Sequence, residues 1–479
     1  MQPKSSSLMK TECSAGQLVF HGLGRRTVVG QFDGGKISSD GGGLLLREVE
    51  KRTHILKRLA GCFMDHRDPD QIEHSLESLI KQRVMGLAQG YEDLNDHDTL
   101  RHDSLLALLS DKQDPSGKTR KRDQDKGCAL AGKSTLNRLE LTPLDASAAS
   151  RYKKIVANPD AMDDLLVDIF IEAYDSPPEA IILDVDATDD PLHGNQEGRF
   201  FHGYYKSYCY LPLYIFCGDE LLCARLRPSN IDGAAGTVEE LERIVSRVRA
   251  AWPDVEIVIR GDSGFCRENI MKWCEENNVD YLFGLARNNR LVEEIEPEMA
   301  EAKIMYESSG EASRRFKDFR YQTLKSWSRD RRVVGKAEYL SKGANPRFVT
   351  TSLSKDKYDA RVLYEDKYCA RGDMENRIKE QQLMLFADRT SSATMRANQL
   401  RLYFSSVAYV LMQALRRLGL AGTKMARAQC NTIRLKLLKI GAQVRITVRK
   451  IWVAYAEGCP YAGIFQQVYR NLLRIPIQG

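Results

Sequence analysis

Four acidic residues stand where a chain places chemistry rather than packing. Asp184 and Asp186 lie in AIILDVDATDD, at the end of a short apolar, β-branched run that reads as a buried strand. A carboxylate in such a run is costly to bury without a partner. Asp262 closes a second run of this kind, VEIVIRGD, and Glu375 lies in YCARGDMENRIKEQQ, which reads as a helix. Three convergent carboxylates suit hard, oxygen-seeking cations such as Mg²⁺. Two such ions can activate a nucleophile and stabilise a leaving oxygen in phosphodiester chemistry. Strand residues two apart share a face, so Asp184 and Asp186 point the same way. Asp186 is nearer the strand end and is the preferred ligand, with Asp184 the fallback. The bland alternative is a set of unrelated capping or ion-paired acids.

The Glu375 segment adds a second layer. Tyr368, Arg371, Glu375 and Gln382 are spaced by three, four and seven, which puts them on one helical face, and Lys379 lies there too. A carboxylate flanked by Arg, Tyr and Lys suits a phosphate held beside a metal. Arg371, Glu375 and Lys379 could equally be surface pairs one turn apart.

These residues need elements to hold them. Up to about residue 174 the apolar spacing is helical, interrupted by DKQDPSGKTRKRDQDK (residues 111–126), a charged segment that reads as an exposed or disordered loop. The period then changes. AIILDVDATDD, YCYLPLYIF and LLCARLRP read as strands, TVEELERIVSRVRAAW as an amphipathic helix, EIVIRGDSGF as a strand, residues 268–277 as a helix and YLFGLAR as a strand. The order β-β-β-α-β-α-β describes a mixed sheet with packed helices, as in RNase H-like folds. In that topology strands one and four are neighbours, so Asp186 and Asp262 converge, and a later helix can bring Glu375 opposite them. Residues 288–345 read as a β-rich insertion, RFVTTSL as a further strand, and everything beyond residue 398 as helical.

Composition bounds the rest. The chain has 479 residues, 43% hydrophobic and 28% charged, with a net charge of +6. That excludes a fibre and a mostly disordered chain. No apolar run reaches the roughly 20 residues of a membrane span, and the polar first 17 residues read as no signal peptide. The eleven Cys form no Cys-x-x-Cys pair, which points to reduced cytosolic thiols. From residue 391 onward fourteen Lys or Arg face one acid, Glu457, so the C-terminal part suits a polyanion. All eight His lie at or before His202, so the C-terminal half supplies no catalytic imidazole. Two motifs mislead. GCALAGKS (residues 127–134) fits a P-loop, but follows a charged loop and not a strand. Asp184-Val-Asp186-Ala-Thr188 fits the nucleophile motif of haloacid-dehalogenase-type phosphatases, but the later acid expected after Gly261-Asp262 is missing.

The Tyr368–Gln382 helix resembles the Tyr-Arg-Glu-Lys signature of DDE-type insertion-sequence transposases, with Tyr368, Arg371 and Glu375 matching and Gln382 standing at the Lys position. Lys379 is the possible substitute. DATDD and RGDSGF resemble the two Asp motifs of the group, and FDGGKISSDGGGLLLRE and GYEDLNDHDTLRHD resemble one bacterial subgroup. The resemblance spans nearly the whole chain. It implies an RNase H-like core at residues 177–290 and 346–405 and a β-rich insertion at 291–345. Before them come an arm at 1–30 and a helical end-binding region at 31–176; a basic helical region at 406–479 follows. It implies two Mg²⁺ ions, replaceable by Mn²⁺, on Asp186, Asp262 and Glu375. Tyr368, Arg371, Lys379 and Gln382 would face DNA, and Trp327 of the insertion would stack on a flipped base. Implied partners are the element's terminal inverted repeats and target DNA, bound by a homodimer in the bacterial nucleoid. A phosphatase, or a relative that binds DNA without cutting it, is the alternative.

Overall fold

The computed structural model describes residues 16–477. Its centre is one nine-stranded mixed sheet. Five strands come from the expected series: β1 (Ala180–Ala187), β2 (Leu213–Cys217), β3 (Glu220–Arg225), β4 (Glu256–Gly261) and β5 (Asp280–Leu285). They are followed by β6 (Ser313–Tyr321), β7 (Arg331–Leu340) and β8 (Arg347–Thr351). The order across the sheet is β3-β2-β1-β4-β5-β8-β7-β6, with Gly343–Ala344 paired onto β7. β1, β4 and β5 run parallel to one another, and the other pairings are antiparallel.

The period of two along β1 fixes the two faces of the sheet. Ile181, Leu183 and Val185 enter one hydrophobic core, against Val167 and Phe170 of helix α2 (Pro159–Glu172), Leu241 and Ile244 of α3 (Thr237–Ala251), and Ile270 of α4 (Glu268–Glu276). Asp184 and Asp186 therefore point to the opposite face. Helical residues 360–384 cover that face, with Leu363, Tyr364 and Tyr368 packed on Leu282, Val334 and Val349. This stretch winds unevenly: π-helical turns at Leu363–Tyr368 and Glu380–Met384 flank a tight turn at Cys369–Arg371 and the α-helix Gly372–Lys379.

A second core joins the two ends of the chain. Helix α1 (Leu76–Gln89) begins at Ser75, whose Oγ accepts from Ser78 N, and ends at Gly90 in the left-handed region (φ 98°). It packs against Met395–Ala414, a 20-residue helix buried along most of its length. The same core takes in Met374 and Ile378, so it also anchors the Glu375 helix.

Three expectations change. Residues 291–345 form no separate β unit: they begin within helix Asn289–Glu294 and pass through helix Glu296–Ser309, and their two long strands extend the central sheet because Val333, Val334 and Ala337 are buried in it. The C-terminal region is not wholly helical. Ala442–Ile446 and Ile451–Tyr455 form a hairpin, whose first strand also pairs with Ile37–Ser38; the β-branched alternation of VRITV fits that better than a helix. The segment at 111–126 is neither exposed throughout nor detached. Pro115 is buried, and Arg120 and Asp125 pair with Glu73 and Arg101. Within the stretch read as an arm, Leu18–Leu23 and Arg26–Gly30 pair as an exposed hairpin; residues 1–15 lie outside the described residues.

Candidate active site

The parallel register between β1 and β4 brings the first two acids together. Arg260 lies opposite Asp184 and Gly261 opposite Val185, so the next step sets Asp262 beside Asp186. Asp186 accepts from Ala187 N at 2.9 Å, and Asp262 Oδ1 from Gly264 N at 2.8 Å. The helical stretch above contributes Glu375, whose side chain is 48% exposed.

Arg371 lies among the three acids. Its Nη1 is 3.8 Å from Asp186 Oδ2, and its Nη2 donates to Glu375 Oε1 at 3.2 Å. Burial lifts the Asp186 carboxyl to about 6; Arg371 opposes that rise, while Asp262 and Glu375 add to it. The same carboxylates push Arg371 upward against its own burial. The site is thus a pocket of negative charge with one guanidinium in it. Tyr368 is held above its ordinary range by burial, with Asp262 adding to the rise. Its hydroxyl sits over Gly284 of β5, where a Cβ would come within 2.5 Å of Oη. Gly284 is required there because a side chain would push Tyr368 out of the site.

Asp184 has a different task. Arg260 Nε and Nη2 donate to its two oxygens at 2.5 and 2.7 Å, and Arg260 also donates to Lys367 O. Both residues are buried. The pair ties β1 and β4 to the Glu375 helix from inside. It also holds both Asp184 oxygens in a buried bidentate pair, which counts against the phosphatase alternative.

The remaining candidates divide. Gln382 Nε2 donates to Asp189 O at 3.1 Å, so it joins the helix to the loop after β1. Lys379 is exposed, and its side chain makes no hydrogen bond or ion pair among the described residues. Trp327 departs from its expected stacking role: it is 6% exposed, edge-on to Tyr321 and covered by Arg331, so its ring has no open face for a base. The structure instead exposes aromatics that the sequence reading passed over. Between β1 and β2, strands Phe200–His202 and Ser207–Tyr210 carry Phe201 and Tyr208 on their surface, with Tyr204 in the turn between them. Tyr205 beside them donates to Ala187 O at 3.4 Å and feels the charge of Asp186. The signal was present as FFHGYYKSY, five Phe or Tyr in nine residues, of which only Tyr208 belongs to a run that reads as a strand.

The donor set fits a hard cation in type, since all three groups are carboxylates. In spacing it is open: among the described residues no three acid, His or Cys side chains are close enough to hold an ion, and Arg371 spans the gap.

The family model of transposase DDE domain group 1 matches residues 20–477. The chain belongs to this family. No curated protein matches it. Among the described residues no helix is long and apolar enough to cross a membrane.

Proposed function

We propose that this chain is a cut-and-paste DNA transposase with an RNase H-like catalytic core. It cleaves the ends of its insertion sequence and joins the freed 3′-hydroxyls to target DNA. The observation that carries this reading is the β1–β4 register, which sets Asp186 beside Asp262 under the helix that carries Glu375. The order β3-β2-β1-β4-β5, with β1, β4 and β5 parallel, supports the fold assignment.

Asp186, Asp262 and Glu375 would hold two Mg²⁺ ions, or Mn²⁺ in their place. Those ions, when bound, activate the attacking oxygen and stabilise the leaving one. The protein's own residues position and neutralise. Arg371 moves from the carboxylates to the scissile phosphate, where its fork matches two phosphate oxygens. Tyr368, braced on Gly284, orients Arg371. Gln382 keeps the helix docked to the loop after Asp186, so it serves positioning in place of a phosphate-binding Lys. Phe201, Tyr204 and Tyr208 offer faces for bases unstacked at the cut. Two ends must be cut together, which requires a dimer on DNA.

The test is nicking of a labelled duplex carrying the element's ends, with Mg²⁺. Wild type nicks at the end, while Asp186→Asn and Asp262→Asn bind the duplex and leave it whole. Wild type that binds and never nicks would overturn the proposal.

A further inference from the structure

The N-terminal region contains a cleft of about 350 Å³, far along the chain from the acids. Three segments wall it: the charged loop at 111–126, helix Lys133–Glu140, and the approach to strand Ile155–Ala157. Its acids are already engaged. Glu73 pairs with Arg120, Asp98 with Lys133, and Asp125 with Arg101. Three lining cations are left over, one from each wall. Arg122, Arg138 and Lys154 make no salt bridge among the described residues; Lys154 donates only to Ala148 O. Arg138 and Arg151 lie 5.0 and 4.8 Å from the ring of Tyr152, which is 56% exposed at the rim.

The floor holds a second group of cations around a histidine. His74 is buried, with Lys112 Nζ 3.1 Å from one ring nitrogen and Arg120 on the other. A neutral imidazole has a single acceptor nitrogen, so it cannot satisfy both cations. Burial and the surrounding Lys112, Arg120 and Arg101 push His74 down to about 3, and burial with Arg120 lowers Lys112. On the floor Lys112 also donates to Glu73 O and Arg120 pairs with Glu73 and Asp125, so the cations without an acidic partner are those on the walls. The P-loop-like GKS is not the source of this: the backbone N–H of Lys133, at the start of its helix, is already taken by Asp98 Oδ1 at 3.1 Å.

We propose that this cleft binds a phosphodiester of the DNA backbone away from the cut, through Arg122, Arg138 and Lys154, and so anchors the element end to the N-terminal region. The identity of the duplex rests on the transposase reading; the phosphate chemistry does not. Inorganic phosphate offers the same chemistry from another source, so the test separates the two.

The full-length protein and Arg122→Ala/Arg138→Ala are titrated with the end duplex over a range of salt. Each phosphate contact contributes about 0.9 to the slope of log affinity against log salt, so losing two flattens the slope by about 2. Both side chains are exposed, so the thermal midpoint should not move; if it does, the single reversals Arg122→Glu and Arg138→Glu replace the double variant. Arg138→Lys keeps the charge and should keep the slope. An unchanged slope in the alanine variant overturns the proposal. So does a result in which inorganic phosphate raises the wild-type midpoint through these arginines while duplex binding ignores them, since the cleft then serves a free anion. Wild type whose slope depends on these arginines but which never nicks the duplex would refute the transposase reading and leave the cleft assignment standing.

Discussion

The pair Asp184 and Asp186 shows how two identical residues on one strand face divide their work. Asp186 has a loose contact with Arg371 and two acidic neighbours, whereas Asp184 is clamped by Arg260. Removing one member of a buried ion pair costs about 3–5 kcal/mol, because the other charge is left uncompensated. Asp184→Asn should therefore lower the thermal midpoint and weaken every activity in proportion to unfolding. Asp186→Asn should leave the midpoint unchanged or raised, since it relieves repulsion, while nicking disappears. Melting curves of the two variants, run side by side, check this; equal destabilisation would contradict it. The aromatics separate in the same way. Trp327→Phe should leave nicking intact in protein that stays folded, because the ring only fills the core. Tyr204→Ala should reduce nicking by about 10- to 100-fold at unchanged stability, as base stacking is worth about 1–3 kcal/mol. Single-turnover nicking rates distinguish them.

At the scale of elements, what could be read from the sequence followed periodicity. The runs around Asp184, Asp186 and Asp262 were recognisable as strands because they are short, β-branched and bounded by turns, and the convergence of the acids followed from their order. What could not be read depends on long-range pairing. Nothing local in SRRFKDFRY or RRVVGKAEYL says that these strands extend the central sheet, since the pairing with β8 is decided by burial of Val333 and Val334. The role of Arg260 was hidden for the same reason: its partner lies 76 residues away on a neighbouring strand. Helical residues 360–384 begin earlier than the Tyr-Arg-Glu spacing indicates, and their π-helical turns shift Gln382 toward the loop after β1. Gly284 is the element-level consequence. A Cβ there would meet Tyr368 Oη and the backbone of Ser263, so Gly284→Ala should push the helix off the sheet face. The predicted result is a loss of nicking larger than the loss of duplex binding, read by assaying both in the same preparation.

On the scale of the whole molecule, the N-terminal helices and the helix Met395–Ala414 share one core, so the ends of the chain stabilise the platform on which Glu375 sits. His97 lies in that region, fully buried against Gln82 and Gly86. Burial, with Arg83 adding, pushes it from 6.5 down to about 3. The unfolded chain takes up this proton below about pH 6.5 and the fold not until about 3. Its contribution is therefore complete above pH 6.5 and is lost as pH falls toward 3, on the order of 5 kcal/mol in all. Denaturant unfolding at pH 7 and pH 5 should show the decline, and His97→Gln should flatten it. Whether the three carboxylates act together is read most directly from nicking of the element-end duplex with Mg²⁺, comparing wild type with Glu375→Gln. Both proteins should bind the duplex, and only wild type should cut it at the end. Cutting by Glu375→Gln at the wild-type rate would contradict this.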